Sequence, residues 1–137
     1  MTKTPIENYT HEHILMPLAI TIIIDTKILA QEMAEFYARA VELFELFNLP
    51  PLSETDVMDW FKKNGESIAV DLAGKRRNTT ILVALSRFKK DIHVENMYDA
   101  MIAISICDKE YIREESDLIK SAASIWGYNR PPIKVID

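Results

Sequence analysis

Apolar residues recur along this chain at steps of three and four, and no segment alternates strictly apolar and polar over four or more positions with turn residues around it. The clearest series is Ala30, Met33, Ala34, Tyr37, Ala40, Val41, Phe44 and Phe47. That spacing predicts an amphipathic helix over 30–47, with Glu32, Glu35, Arg39, Glu42 and Glu45 outside its apolar stripe. The segment NLPPLS then stops it, because a residue before proline is pushed out of helical geometry.

Five further helices follow from the same reasoning. The first is expected over 12–24, with Pro17 near its first turn, where a missing N–H matters least. Ser53 before Glu54, Thr55 and Asp56 is a helix start, its acids placed at the positive end of the dipole. From there Val57, Trp60, Phe61, Ile68 and Leu72 extend a stripe toward residue 73, with Gly65 as the point where it would break or bend. AGKRRNTT reads as a loop with Asn78 or Thr79 as cap, and Ile81, Leu82, Leu85 and Phe88 give a helix to about Lys90. Another is expected from about His93 to Cys107, carrying Met97, Tyr98, Met101, Ile102 and Ile106. The last, from about Ile112 to Trp126, carries Leu118, Ile119, Ala122 and Trp126, with Gly127 as its stop. The tail NRPPIKVID cannot be helical through its two prolines. The expectation is an all-α, compact bundle of about six or seven helices. It forms one domain over 1–137, with a core of about 14–127 and a flexible or docked tail, 128–137.

Composition agrees with a folded helical chain. Of 137 residues, 48% are hydrophobic and only three are Gly, so there is enough apolar surface for a core. The longest apolar run, ILMPLAITIII, is far short of the roughly 20 residues a membrane span needs, so a buried helix is expected and no transmembrane segment. The start, MTKTPIENYTHEH, has no basic stretch leading into an apolar core, and Cys107 is the single cysteine. Both features set a cytoplasmic location as the expectation. Net charge is −5 and unevenly spread. Residues 1–60 carry three bases and ten acids, net −7, whereas residues 61–95 carry eight bases and four acids, net +4. Such a molecule is a poor general binder of nucleic acid, but it suits a protein partner or self-association.

A shift of 83 residues lays one part of the chain on another. It pairs Asp25 with Asp108 and Glu32 with Glu115, and it pairs Ile23 with Ile106, Leu29 with Ile112, Phe36 with Ile119 and Ala40 with Ala123. The shared form is apolar helix, Asp, short turn, apolar residue, Glu, apolar helix: a helical-hairpin pseudo-repeat. If the two hairpins pack with their turns adjacent, Asp25, Glu32, Asp108 and Glu115 would converge on one point. Carboxylate oxygens suit hard cations such as Ca²⁺, Mg²⁺ or Mn²⁺. The competing reading is that acids at helix starts simply complement the dipole. A calcium-binding EF-hand is excluded, because the twelfth position counted from Asp108 is Ile119, the sixth is Arg113, and the twelfth from Asp25 is Phe36.

With these residues in view, the chain resembles the TerB-like tellurite-resistance family over about residues 14–127. The likeness is strongest in AMIAISICDKEYIREESDLIKSAASIWG and weaker in LAITIIIDTKILAQEMAEF. The resemblance implies an all-helical domain with an internal repeat, an acidic patch proposed to bind metal ions, a role in stress resistance and no enzyme activity. Carried over by position, the acidic motif falls on Asp25, Glu32, Asp108 and Glu115. The family has Ala-Asp-Gly at the turn, whereas this chain has Ile24-Asp25-Thr26 and Cys107-Asp108-Lys109, with Lys27 and Lys109 adding positive charge.

Other chemistry is thin. His11 and His13 flank Glu12 in what reads as a frayed terminus, and His93 stands alone, so no zinc site is expected. Neither a nucleophile–base arrangement nor a glycine-rich phosphate loop is present, so an enzyme is not expected. Lys75, Arg76 and Arg77, followed by Arg87, Lys89 and Lys90, read as a solvated face or as a docking patch for an acidic partner, including another copy of the chain. Two functions follow: a non-enzymatic stress-response protein holding a divalent cation at its acidic turns, or an adaptor module that works through protein contacts with no metal.

Overall fold

A computed structural model describes residues 9–24, 30–107 and 113–127, with the side chains of 113–116 outside the description. It has six helices: α1 (His11–Ile23), α2 (Ala30–Leu46), α3 (Glu54–Ala73), α4 (Arg77–Ser86), α5 (Asp91–Ile106) and α6 (Arg113–Trp126). No strand occurs among the described residues, so the chain is all-α as the periodicity predicts. The tail beyond Gly127 lies outside the described residues.

Helix ends follow local chemistry at several points. Ser53 caps α3, its side chain accepting the Asp56 N–H at 3.1 Å. Thr10 and His13 close a capping box on α1, the threonine oxygen accepting from the His13 N–H and the imidazole Nδ1 accepting from the Thr10 N–H. Asn48, with φ of 59°, ends α2: its N–H bonds the Glu45 carbonyl while the Leu49 N–H reaches back to Phe44. This is a Schellman stop with asparagine in the left-handed position. Gly127, with φ of 83°, ends α6 as expected.

Other local expectations are corrected. Pro17 is the seventh residue of α1, past the first turn, and it leaves the His13 carbonyl without a backbone donor. Gly65 does not interrupt α3, which runs unbroken through it. Neither Asn78 nor Thr79 caps α4; the helix begins at Arg77 behind Arg76, with no side-chain cap. Ala34 faces solvent, and so do Leu82 and Ile106.

Side chains from all six helices meet in one core, dominated by Leu15, Leu18, Ile22, Phe36, Phe44, Met97, Met101 and Ile119. Helix α1 is apolar on nearly every side because α2, α3, α4 and α5 all pack on it. Ring contacts fix the directions. Tyr9, just before α1, meets Phe47, just after α2, edge to face at 4.8 Å, so α1 and α2 run in opposite senses. Tyr9 also meets His93, near the start of α5, at 5.4 Å, so α1 and α5 run in the same sense. Trp126 at the end of α6 packs edge-on to Tyr98 of α5, setting that pair antiparallel.

The helix boundaries carry the 83-residue shift. Helix α1 ends at Ile23 and α5 at Ile106; α2 begins at Ala30 and α6 at Arg113. Phe36 and Ile119 are both buried, as are Ala40 and Ala123. The pairing fails at Ile23 and Ile106. The first is covered by α3 near Gly65, whereas the second is 43% exposed.

Candidate functional site

The two antiparallel pairs, α1 with α2 and α5 with α6, lie side by side with α1 against α5. Since α1 and α5 point the same way, Ile24 and Cys107 stand toward the same end of the bundle, and so do the first turns of α2 and α6. Those two residues lead into 25–29 and 108–112. Asp25 and Asp108 themselves lie outside the described residues. Glu115 belongs to the first turn of α6, but its side chain is outside the description.

Glu32 is the candidate whose side chain is described, and it is not where the periodicity put it. It is 0% exposed, on the core side of α2 in a series with Phe36, Ala40, Leu43 and Phe44. The expectation that it lay outside the stripe is therefore overturned. A first-turn acid that only complements the helix dipole would sit in water, where it contributes roughly 0.3–1 kcal/mol. A carboxylate among core side chains loses its hydration and must be compensated by what it meets inside. Its place at the common end of the two helix pairs, with only oxygen donors to offer, is the chemistry that suits a hard cation. Among the described residues no three His, Cys, Asp or Glu stand close enough together to hold a metal ion; of the four carboxylates proposed, only Glu32 is among those side chains.

The opposite end of the bundle holds a cluster that periodicity could not reveal. Tyr9 stacks on Phe88 at 5.3 Å, and His93 stacks on Phe47 at 4.0 Å, so His93 does not stand alone. His11 packs edge-on to Phe44 and shares a 2.6 Å hydrogen bond through Nε2 with the Pro50 carbonyl, which must accept. His13 packs near Tyr9, and its pKa lies below the usual histidine value, first because burial disfavours the cation and then because Arg87 is near. The segment expected to fray is therefore anchored. These rings knit the ends of α1, α2 and α5 together, which is a packing role.

Cys107, the single cysteine, is partly exposed beside the exposed Ile106. No described helix is long and apolar enough to cross a membrane. Compared with protein-family models, curated proteins and solved structures, the chain matches none.

Proposed function

We propose that this chain is a non-enzymatic stress-response protein of the TerB-like type, which holds a divalent cation through carboxylates at the common end of its two helix pairs. The observation that supports it most is the burial of Glu32 on the core side of α2, at the first turn, where a simple dipole-complementing acid would stay in water. Glu32 would supply inner oxygen ligands. Asp25, Asp108 and Glu115 would complete the set from the equivalent positions of the repeat. Calcium, magnesium or manganese would suit an all-oxygen site. Binding would tie the ends of α1, α2, α5 and α6 together, which stabilises the folded chain by mass action.

The test is calorimetric titration of metal-free protein with each of the three cations, beside Asp25→Asn/Asp108→Asn and Glu32→Gln variants. Saturable binding to the wild type, lost in both variants, is the expected result. A folded wild type that takes up none of the three cations overturns it.

The second reading, an adaptor module without a metal, is favoured by a separate observation. Four large apolar side chains, Val70, Leu82, Val83 and Ile92, are exposed within or next to the basic segment of the sequence.

A further inference from the structure

Between Leu72 and Lys90 the chain has six bases, Lys75, Arg76, Arg77, Arg87, Lys89 and Lys90, and no acid, within a molecule of net charge −5. Of these six, Arg76 alone makes an ion pair among the described residues, a long one to Asp71 at 4.0 Å. The same stretch carries exposed apolar surface. Leu82 is 51% and Val83 48% exposed on α4, and of the five large exposed hydrophobic side chains among the described residues, four lie between positions 70 and 92. Val83 borders a cleft of about 340 Å³ between α1 and α4, whose wall carries Arg76 and Arg87 together with Glu12 and Asp71, so the excess of positive charge comes from the bases outside it, Lys75, Arg77, Lys89 and Lys90. Exposed apolar side chains on a segment rich in cations are what a docking face for an acidic protein surface requires. A lipid surface fits less well, since the rest of the protein is acidic.

The complement is present on the chain itself. A groove of about 650 Å³ runs between α2 and α5, with Glu42, Glu45 and Asp99 on its walls and Leu43 and Leu46 on its floor. Arg39 in that groove is already engaged by Glu35 at 3.0 Å and Glu42 at 2.9 Å, whereas Glu45 and Asp99 have no ion pair among the described residues. One copy cannot bring the two faces together, because α4 packs on α1, α3 and α6, while the groove lies between α2 and α5.

We propose that the basic α4 face of one copy docks into the acidic α2–α5 groove of another. The contact is heterologous, so it builds rings or open chains rather than a symmetric pair. It does not depend on the cation reading: Glu45 lies at the opposite end of α2 from Glu32, and Asp99 lies at the middle of α5.

The test uses two exposed double variants, Arg76→Glu/Arg87→Glu on α4 and Glu45→Lys/Asp99→Lys in the groove, each checked for helical content. Sedimentation velocity at low salt is expected to show concentration-dependent association of the wild type. That association should fall at least tenfold in about 1 M salt, where the Debye length is about 3 Å. Each variant alone should run as a monomer. Mixed together they should associate again, since one keeps a working groove and the other a working basic face. A wild type that stays monomeric at low salt and high concentration overturns the proposal. So does association that survives both variants, or a mixture of folded variants that fails to pair.

Discussion

Glu32 stands one helical turn before Phe36 on the same fully buried face of α2, so a carboxylate occupies the position that an apolar residue fills one turn later. A charge placed there costs folding free energy unless its surroundings compensate it, and what it meets inside is therefore worth more than at a surface. Glu32→Gln keeps shape and hydrogen-bonding capacity but removes the charge. Metal-free Glu32→Gln protein is expected to be about 1 kcal/mol more stable than the wild type at neutral pH, read by urea unfolding. Adding a saturating divalent cation should stabilise the wild type and leave the variant unmoved. A variant less stable than the wild type in chelator would show that the charged form is already compensated by protein groups alone.

The face of α2 shows where sequence patterning runs out. Met33, Tyr37 and Val41 sit half-buried on one flank of the buried face, whose centre is Phe36, Ala40, Leu43 and Phe44. A broad apolar arc has no sharp edge in sequence, so periodicity alone displaces its centre and places the Glu at its N-terminal end outside it. Helix α4 is present as expected, but its start lies earlier than the sequence predicts, for a different reason. Three bases at its start oppose the dipole and no cap residue precedes it, yet Ile81, Ala84 and Leu85 pack into the core and hold the first turn helical. The stacking of His93 on Phe47 and the bond from His11 to Pro50 join positions far apart in the chain, for which no local signal exists. By contrast, the Ser53 cap and the Gly127 stop rest on short-range rules and are seen in the structure, and the 83-residue shift is kept by the helix boundaries though not by the burial of Ile23 and Ile106.

Two glycines are expected to respond in opposite directions to the same substitution. A methyl group on Gly65 would meet the Phe61 ring at 3.8 Å and Ile23 at 3.9 Å, which is ordinary contact inside a continuous helix. Gly65→Ala should therefore stabilise by roughly 0.5–1 kcal/mol through lower unfolded-state entropy and better helix propensity. Gly127 has open space around it but a left-handed backbone. Gly127→Ala should destabilise by about 1 kcal/mol, because the cost lies in φ rather than in a clash. Thermal unfolding of both variants, side by side, checks the contrast.

Asn48 holds the left-handed stop of α2 in the position where glycine is least strained. The same stop directs Leu49, Pro50 and Pro51 past α1, where the Pro50 carbonyl receives His11. Asn48→Gly is expected to be neutral or to stabilise by a few tenths of a kcal/mol, the steric gain partly offset by glycine's flexibility in the unfolded chain. Asn48→Val should destabilise by about 1–2 kcal/mol, because a β-branched residue resists positive φ. Chemical denaturation of the pair measures both. Equal stability of the valine variant and the wild type would show that α2 ends without help from this residue.

His13 makes the stability of the α1 end depend on pH. Its Nδ1 accepts the Thr10 N–H in the capping box at 3.2 Å, a bond that a protonated ring cannot make. Burial first, and Arg87 next, lower its pKa below the value of 6.5 expected in the unfolded chain, while Glu12 acts weakly in the opposite sense. The unfolded state therefore binds the proton more readily than the folded state. Stability from the neutral ring is fully present above pH 6.5 and is lost as pH falls from 6.5 through the lowered folded-state pKa. His13→Gln can keep an acceptor for the Thr10 N–H without titrating. Thermal midpoints of wild type and variant should run parallel above pH 6.5, and the wild type should fall more steeply below it. Parallel curves throughout the acid range would mean that the imidazole is protonated in the folded protein as easily as in the unfolded chain, with the capping-box bond contributing nothing to α1.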